Sequence, residues 1–374
     1  MDKQLQQPDV LRVIIAGGGT GGHVFPAIAI ALAIKKKVYN AKILFVGAKG
    51  RMEMEKVPQA GFHIIGLNMS GMQRRLTWKN IEVPFKLIDS MIKAKIIVKR
   101  FKPDVVIGVG GYASGPLVRA AAKQGVPTLI QEQNSYPGLT NRILGRKADK
   151  ICVAYEGMDR FFDKSKLFLT GNPVRQDIVN LEGKYQQAIE YFGFSPHKPI
   201  LFVTGGSLGA LTINQSLSQN LNLLISNNVQ VIWQTGTSYY QTAKEQAKKY
   251  SKDLFVKQFI DRMDFAYAVA DLVVSRAGAI AVSEICIVQK PAILIPSPNV
   301  AEDHQTKNAL ALVNHHAAIL IKDHEANQKL GPVVLELMAD ENKRFRLKEK
   351  LAGLSYRDAA DVIANVALSI VKTK

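Results

Sequence analysis

Cysteine is nearly absent from this chain of 374 residues: only Cys152 and Cys286 occur, far apart and without a Cys-x-x-Cys pair. This argues against a disulfide framework and a structural zinc site, and it favours a reducing cytoplasm. No apolar run approaches the roughly 18 residues that a membrane-spanning helix needs. We expect no signal peptide, because polar MDKQLQQPD precedes only a short apolar run that Arg12 interrupts.

Two classes of motif are also missing. The sequence has no helix-turn-helix, zinc-finger or RNA-binding signature, so nucleic acid is not an expected partner. It has no Asp-x-Asp pair, so a nucleotide-sugar enzyme with this sequence would not hold its diphosphate through an aspartate-bound metal. Backbone amides, helix N-termini and Arg175 or Arg276 are expected to carry that electrostatic role.

Positive charge is concentrated in the first half of the chain. Residues 1–175 hold 28 Lys and Arg against 12 Asp and Glu, whereas residues 176–374 hold 21 against 19. An anionic membrane surface is the expected partner of the first half, and solvated lysines are the alternative. Within it, Met69–Lys102 mixes nine basic residues with apolar ones. Trp78 and its neighbours are the candidates for lipid contact, while many apolar residues of helix Ile81–Arg100 should face the core.

Strands alternate with helices along the whole chain, which predicts parallel α/β layering. The predicted strands are Arg12–Ala16, Ile43–Val46, His63–Leu67, Val105–Val109, Thr128–Gln131, Lys150–Val153, Leu167–Leu169, Ile200–Thr204, Gln230–Gln234, Phe255–Gln258, Leu272–Ser275, Ala292–Pro296 and Ala318–Ile321. The predicted helices include Pro26–Lys36, Ile81–Arg100, Gly115–Lys123, Thr212–Ser226, Tyr239–Lys249, Ala279–Val288, Gln305–Asn314, Gln328–Ala339 and Tyr356–Val371. A domain boundary is expected just after Gly171–Arg175, followed by the polar stretch Gln176–Lys198.

Glycine-rich turns follow three strands, at Gly17–His23, Gly110–Pro116 and Gly205–Gly209. Such turns let backbone N–H groups converge on an anion at the start of a helix. The first turn lacks the acidic partner that a nicotinamide site needs, because Val46 is followed by Gly-Ala-Lys, so an oxidoreductase is disfavoured. His23 is at the start of a helix, where a neutral imidazole suits a general base; a turn-capping histidine is the alternative.

Other polar residues follow further strands. Glu132, Gln133 and Asn134 are expected at the same carboxyl edge as the first turn. Glu284, in the helix that follows Ser275–Gly278, is a candidate to grip a ribose diol, with an exposed helix residue as the alternative. The segment Ala301–Gln305 offers groups suited to sugar hydroxyls.

These motifs resemble the MurG family, the UDP-N-acetylglucosamine–N-acetylmuramyl-(pentapeptide) pyrophosphoryl-undecaprenol N-acetylglucosamine transferases of peptidoglycan synthesis. GGTGGHVFPA, PDVVIGVGGYASGP, EQN, GNPVR, GGSLGA and DHQTKNA occur in that family's order and span nearly the whole chain. The resemblance implies an α/β fold of the GT-B type, with two Rossmann-like lobes whose parallel sheets face each other across a deep cleft. It also implies an inverting reaction without metal or cofactor. The enzyme would attach peripherally to the cytoplasmic face of the inner membrane, with other cell-wall synthesis proteins as candidate partners.

The same resemblance assigns lobes and roles. The acceptor- and membrane-binding lobe would be 1–175 with a C-terminal helix at 356–374, and the donor lobe would be 176–355. His23 would take the proton from the 4-hydroxyl of undecaprenyl-diphosphoryl-MurNAc-pentapeptide, which becomes β-1,4-linked to the sugar of UDP-GlcNAc. The acceptor would also meet Gly18, Gly19 and Tyr112. The donor-binding residues that the resemblance implies include Ser207 at phosphate, the Ile260 backbone at uracil, Glu284 at ribose, and Ala279 and Gln305 at the sugar. The other implied donor-binding residues are Thr20, Gly21, Gly22, Asn134, Arg175, Ile280, Ala281, Val282 and Ser283.

One departure from the family stands in the donor lobe, where Ala281 replaces Thr or another hydroxyl-bearing residue. The amino-acid sequence of Asn134–Gly138 is also particular to this chain. Two further alternatives are a UDP-GlcNAc 2-epimerase of the same fold and a membrane-docked scaffold. The basic first half disfavours the epimerase, and the joint presence of His23, Ser207 and Glu284 disfavours the scaffold.

Overall fold

The computed structural model describes residues 10–69, 82–111, 113–250 and 252–372. The chain forms two compact units, the first from Met1–Val174 with Asp358–Lys374 and the second from Arg175–Arg357. Both units are α/β, as the alternation of strands and helices predicts.

Seven parallel strands form the sheet of the first unit: β1 (Arg12–Ala16), β2 (Lys42–Ala48), β3 (His63–Leu67), β4 (Val105–Gly108), β5 (Thr128–Glu132), β6 (Lys150–Val153) and β7 (Leu167–Leu169). Their spatial order is β3-β2-β1-β4-β5-β6-β7. The order reverses direction between β1 and β4, and ligands of open α/β sheets bind beyond the carboxyl ends of strands at such a point. The loops after β1 and β4 are therefore placed for binding.

Helices cover both faces of this sheet. Those described are α1 (Gly21–Lys37), α2 (Glu53–Gln59), α3 (Glu82–Phe101), α4 (Ser114–Lys123), α5 (Leu139–Gly145) and, numbered in chain order, α14 (Ala359–Ser369). The C-terminal helix α14 packs on α1, and its Ile363 and Ala364 belong to the same buried cluster as Ile30. Lys37 and Asp361 add an ion pair of 3.3 Å. The end of the chain thus completes the core of the first unit.

Six parallel strands form the sheet of the second unit: β8 (Ile200–Thr204), β9 (Gln230–Gln234), β10 (Leu254–Lys257), β11 (Leu272–Ser275), β12 (Ala292–Leu294) and β13 (Ile319–Leu320). Their order is β10-β9-β8-β11-β12-β13, with the reversal between β8 and β11. The described helices are α6 (Tyr185–Phe192), α7 (Leu211–Ser226), α8 (Tyr240–Lys249), α9 (Met263–Val269), α10 (Ala279–Val288), α11 (His304–Val313), α12 (Ala326–Ala339) and α13 (Glu341–Ala352).

Every predicted strand is present, and the differences are at the ends. β12 stops at Leu294 rather than Pro296, because proline has no N–H for the ladder. Helix α1 starts at Gly21 rather than Pro26, so Pro26 lies inside the helix, where it donates no backbone hydrogen bond. The polar stretch Gln176–Lys198 contains α6, whose buried Ala188, Ile189 and Phe192 face the core. In the described part of the chain, no helix is both long and apolar enough to cross a membrane.

Candidate functional site

The first glycine-rich turn links β1 to α1, and His23 lies in the first turn of that helix. Thr20 is the N-cap in extended conformation, and its carbonyl oxygen accepts hydrogen bonds from the N–H groups of His23 and Val24, both at 3.1 Å. The Thr20 hydroxyl is not used as a helix cap and lies 3.3 Å from His23 Nδ1. The turn therefore places a hydroxyl at the Nδ1 edge of the imidazole.

The opposite edge of the His23 ring, with Cδ2 and Nε2, lies against the loop that follows β4. A Cβ atom added to Gly110 would come within 2.8 Å of His23 Nε2, and the φ of Gly110 is +89°. Only glycine accommodates both the approach and the left-handed backbone. The structure thus brings the two predicted turns together at the topological reversal of the first sheet, with the half-buried imidazole between them.

A buried carboxylate that no sequence motif indicates holds the first turn in place. Glu53 begins α2 and is fully buried. Its Oε2 accepts from the N–H of Gly19 and its Oε1 from the N–H of Ala48, both at 2.9 Å. A Cβ on Gly18 would lie 2.1 Å from Glu53 Oε1, so the glycine is needed for this contact. One carboxylate therefore ties the loops after β1 and β2 together.

Glu132 organises the loop after β5. Its carboxylate accepts from the backbone N–H of Asn134 at 2.9 Å, from the Asn134 side-chain amide at 3.1 Å, from the N–H of Gly138 at 3.1 Å and from the Asn141 side-chain amide at 2.9 Å. Burial raises the pKa of Glu132, and these four hydrogen bonds oppose that rise. Glu132 thus positions Asn134, the predicted donor contact.

Side-chain amides connect the same edge of the sheet to the GNPVR segment. Gln131 Nε2 donates to Asn172 Oδ1 at 2.8 Å, and Asn172 Nδ2 donates to the carbonyl of Gln133 at 2.9 Å. Gln133 Nε2 in turn donates to the carbonyl of Val109 at 2.7 Å. All three amides are buried, so a satisfied network fixes the loops after β4 and β5.

The second unit carries a similar turn between β8 and α7, braced by neutral groups. Thr204 Oγ1 accepts from the N–H of Gly206 at 3.1 Å. Gln234 Nε2 donates to Thr204 Oγ1 at 3.0 Å and to the carbonyl of Gly206 at 3.1 Å. Ser207, the predicted phosphate contact, is exposed on this turn. The turn keeps the positive potential of its amides, because its brace carries no charge.

Two other residues that are predicted to bind the sugar donor already form hydrogen bonds within the protein. The backbone N–H of buried Ile260 donates to Gln234 Oε1 at 2.9 Å, so a base bound through that N–H would have to displace Gln234. Gln305 Oε1 accepts from the N–H of Ser297 at 2.8 Å. This bond holds the oxygen on the loop after β12 and makes the NH₂ group the side suited to donate to a sugar hydroxyl.

Glu284 is buried in the second unit, so the alternative of an exposed helix residue is wrong. Arg175 Nε donates to its Oε1 at 3.0 Å, and the Tyr267 hydroxyl donates to its Oε2 at 3.1 Å. Burial raises the pKa of Glu284, while Arg175 lowers it.

Arg276 already has protein partners: it donates to the carbonyl of Ile295 at 3.0 Å and pairs with Asp323. Arg276 is therefore placed as a structural ion pair rather than for a diphosphate.

The start of α10 supplies the other predicted donor residues. Ala279, Ile280, Ala281 and Ser283 are half-buried and Val282 is buried, with the Ser283 hydroxyl donating to the carbonyl of Ala279 at 3.0 Å. In the first unit, Gly21 and Gly22 are half-buried beside Thr20. Tyr112 lies outside the described residues. Among the residues described, no group of three or more His, Cys, Asp or Glu side chains could hold a metal ion.

Helix α3 carries more exposed apolar surface than the sequence suggests. Trp78 lies outside the described residues, but Ile88, Ile92 and Ile96 are 57%, 56% and 44% exposed, while Ala94 and Val98 face the core. Lipid contact by Trp78 and its neighbours therefore stays a prediction. The three isoleucines are spaced four residues apart and form one stripe along the helix.

Comparison with known proteins gives a consistent assignment. The glycosyltransferase family 28 N-terminal domain matches residues 13–153, and the family 28 C-terminal domain matches residues 200–363. A Bacteroides fragilis protein named UDP-N-acetylglucosamine--N-acetylmuramyl-(pentapeptide) pyrophosphoryl-undecaprenol N-acetylglucosamine transferase is 54% identical over 369 residues, or 98% of this chain and 97% of its own.

Two solved structures share the fold. The crystal structure of Acinetobacter baumannii MurG has a TM-score of 0.76 and 26% identity, covering 96% of this chain and 99% of that chain. A UDP-GlcNAc 2-epimerase from Neisseria meningitidis, bound to UDP-GlcNAc, has a TM-score of 0.67 at 14% identity over 96% and 100%. The second likeness concerns the fold alone.

The prediction of a GT-B type fold with two Rossmann-like lobes is confirmed by the two sheets and by these matches. Identity of 54% over nearly the full length distinguishes the transferases from the epimerases, which share only the architecture. The chain belongs to glycosyltransferase family 28, and within it to the family of UDP-N-acetylglucosamine–N-acetylmuramyl-(pentapeptide) pyrophosphoryl-undecaprenol N-acetylglucosamine transferases.

Proposed function

We infer that this protein transfers N-acetylglucosamine from UDP-GlcNAc to undecaprenyl-diphosphoryl-MurNAc-pentapeptide in peptidoglycan synthesis, converting lipid I to lipid II. The observation that carries this inference is His23, held by Thr20 at the N-terminus of α1, in a chain so similar to transferases named for this reaction. The epimerase alternative rests on a likeness of fold at 14% identity and is not favoured.

In the proposed reaction, His23 removes the proton from the muramyl 4-hydroxyl. The hydroxyl oxygen then attacks C1 of GlcNAc from the face opposite UDP, the bond from C1 to the UDP oxygen breaks, and UDP leaves with that electron pair. The α-linked donor gives a β-1,4 link. A Thr20 hydroxyl that accepts from Nδ1–H leaves the lone pair on Nε2, the nitrogen beside Gly110.

The second unit is proposed to hold the donor. Its Gly205–Gly209 turn offers amides and Ser207 to the diphosphate, with no carboxylate in the brace that Thr204 and Gln234 provide. Glu284 is proposed to bind ribose, with Arg175 and Tyr267 fixing its orientation. Ala279 and Gln305 are proposed at the sugar. Gly18, Gly19 and Tyr112 remain the predicted acceptor contacts.

We further propose peripheral attachment to the cytoplasmic face of the plasma membrane through α3. Exposed Ile88 and Ile92 lie on a helix that also bears Lys86, Lys95 and Lys99. Apolar side chains flanked by cations bind an anionic bilayer surface. Replacing both isoleucines by serine should lower binding to anionic vesicles about tenfold and leave transfer to a detergent-solubilised acceptor unchanged. Equal vesicle binding by the variant would contradict this attachment site. Other cell-wall synthesis proteins remain predicted partners.

The central experiment measures UDP release from UDP-GlcNAc with and without the lipid-linked muramyl acceptor, and the mass of the lipid product. Acceptor-dependent release with a gain of one N-acetylhexosamine is expected. His23→Ala should reduce the rate constant kcat by about 10² to 10⁴, the usual contribution of a general base, with little change in donor affinity. His316→Ala, which changes a histidine of the second unit, is the matched control. Acceptor-independent release with N-acetylmannosamine as product would establish the epimerase instead.

A further inference from the structure

An ion pair in the second unit joins segments that lie far apart in the sequence. Arg276 follows β11, and Asp323 begins the 3₁₀ helix Asp323–Glu325 that follows β13. The two side chains pair with each other and are only 12% and 20% exposed. Neither residue is among those proposed to bind the donor or the acceptor. Their further contacts, however, all lead to segments that are proposed to bind the donor.

Arg276 holds the loop that follows β12. Its Nη1 donates to the carbonyl of Ile295 at 3.0 Å and to that of Pro296 at 3.2 Å. Ser297 comes next in the chain, and its N–H donates to Gln305 Oε1 at 2.8 Å. Gln305 is proposed to contact the sugar. The guanidinium of Arg276 thus fixes the loop that holds Gln305, since its planar group carries several donors in fixed directions.

Arg276 also lies directly before the start of α10. Only Ala277 and Gly278 separate it from Ala279, the first residue of that helix and a proposed sugar contact. The side-chain amide of buried Asn308 donates to the carbonyl of Ala277 at 3.3 Å, which ties this short connection to α11. The position of Arg276 therefore sets where α10 begins.

Asp323 extends the connection to α7. Its Oδ2 accepts from the hydroxyl of Thr212 at 3.0 Å. Thr212 is the second residue of α7, which comes directly after the Gly205–Gly209 turn and Ala210. One turn further along α7, the Ser216 hydroxyl donates to Asn327 Oδ1 at 2.6 Å, which strengthens the contact with the segment after Asp323. The carboxylate of Asp323 thus links the helix behind the proposed diphosphate turn to Arg276.

We propose that Asp323 is a positioning residue for the sugar donor, which acts through Arg276 and Thr212 and contacts no substrate itself. Its carboxylate holds the start of α7, beside the diphosphate turn, in place relative to the start of α10 and the loop that holds Gln305. Because the diphosphate and the sugar are one molecule, a small displacement of one binding segment against the others weakens the joint contacts. The identity of the donor rests on the proposed function; the joining of three segments by one ion pair does not.

Titration calorimetry on the full-length protein tests this role by comparing the dissociation constants of UDP-GlcNAc and UDP. Asp323→Asn removes the charge that pairs with Arg276 and keeps the size of the side chain. It should weaken binding of UDP-GlcNAc about tenfold, as for one hydrogen bond to a charged group, and binding of UDP less than about threefold. Asp253→Asn, which breaks the half-buried ion pair with Lys198 in the same unit, should change neither constant more than about twofold. A loss in Asp323→Asn that is equal for both ligands, or no larger than in the control, would overturn the proposal.

Two further variants test whether the three residues act through one another. Arg276→Gln should weaken UDP-GlcNAc binding at least as much as Asp323→Asn, and the double variant no more than the larger single loss, because both changes break the same bridge. Additive losses would mean that the two residues act independently and would overturn the proposal. Thr212→Val keeps the size of the side chain and removes only the hydroxyl, so it should fold and weaken UDP-GlcNAc binding about threefold. Unchanged binding would overturn the connection to α7 on which the proposal rests.

Amide hydrogen exchange of the free protein adds a readout that needs no ligand. Asp323→Asn should exchange faster than the wild type in the segments 205–212, 276–283 and 295–305, with the rest of the second unit unchanged. Faster exchange throughout the unit would indicate a general loss of stability and would overturn the proposal. A wild-type protein that binds neither UDP-GlcNAc nor UDP would contradict the proposed function, and the exchange pattern would still decide the role of Asp323.

Discussion

The two glycine-rich turns share a strand–turn–helix plan, yet groups of different charge hold them. In the first unit the N–H of Gly19 is occupied by the buried carboxylate of Glu53, whereas in the second unit Thr204 and Gln234 brace Gly206 without a charge. A carboxylate among the amides of a turn offsets the positive potential that attracts phosphate, and neutral groups do not. We therefore propose that similar glycine motifs serve different purposes: rigid placement of His23 in the first unit and donor phosphate binding in the second.

Removing the charged brace should produce the largest effect. Glu53→Ala leaves the N–H groups of Gly19 and Ala48 without acceptors in a buried space, at about 1 to 3 kcal/mol each. We expect the first unit to lose about 3 to 5 kcal/mol in its free energy of unfolding, measured by urea denaturation. Glu55→Ala, on the exposed side of the same helix, should change it by less than about 0.5 kcal/mol. A loss below about 1 kcal/mol for Glu53→Ala would show that the turn does not depend on this carboxylate.

The second unit has a buried carboxylate of its own, Glu284, which binds a cation and a hydroxyl instead of the backbone of a turn. Glu284→Gln removes the negative charge that pairs with Arg175 in the ion pair of 3.0 Å and should cost about 3 kcal/mol of unfolding free energy. The same change should raise the KM for UDP-GlcNAc about tenfold, since the proposed ribose contact is lost. Glu341→Gln on exposed α13 is the control for both measurements. An unchanged KM in a folded Glu284→Gln protein would remove Glu284 from the donor site.

Acid should lower the free energy of unfolding of the second unit by protonating Asp264. Arg262 donates two hydrogen bonds of 2.9 Å to this buried carboxylate and Lys184 one of 3.0 Å, which lowers its pKa from 3.8 to about 2. Because the folded-state pKa is the lower one, the stabilisation is complete above about pH 4 and is lost as the pH falls towards 2. It amounts to about 2 kcal/mol. Asp264→Asn should flatten this part of the stability profile, followed by urea unfolding between pH 2 and 6. A profile that stays parallel to the wild type would contradict the assignment.

The smallest expected effect concerns the departure of this chain from its family at Ala281. Ala281→Thr restores a hydroxyl at a half-buried position near the start of α10, within the proposed donor contacts. One added hydrogen bond would lower the KM for UDP-GlcNAc by about threefold to tenfold. Ala281→Val, which adds similar volume without a hydroxyl, is the control. If valine and threonine behaved alike, no hydroxyl contact would exist at this position.

The sequence predicted the sheets well because buried parallel strands read as apolar runs that glycine turns end, as at Arg12–Ala16 and Ile200–Thr204. The same reasoning located His23 and the three turns, since glycine spacing is local in the chain. It missed α6, whose apolar face is spread through a polar segment.

The partners of the site residues were beyond the reach of the sequence. Glu53 acts on Gly19, which lies 34 residues away, and Arg175 finds Glu284 at a separation of 109 residues. Such pairings depend on strand order, which local patterns do not encode. For the same reason Arg276 appeared available for a diphosphate, although folding pairs it with Asp323.

A reciprocal exchange of charge tests the comparison most directly, with UDP-GlcNAc binding to the full-length protein measured by titration calorimetry. Gln234→Glu places a carboxylate in the brace of the second turn, and Glu53→Gln removes the one in the first; thermal unfolding verifies that both variants are folded. A unit charge about 6 Å from a phosphate costs about 3 kcal/mol at an effective dielectric constant of about 20. We predict that Gln234→Glu weakens donor binding at least tenfold while Glu53→Gln changes it less than about threefold. The reverse result would assign the donor phosphates to the first turn and contradict the account.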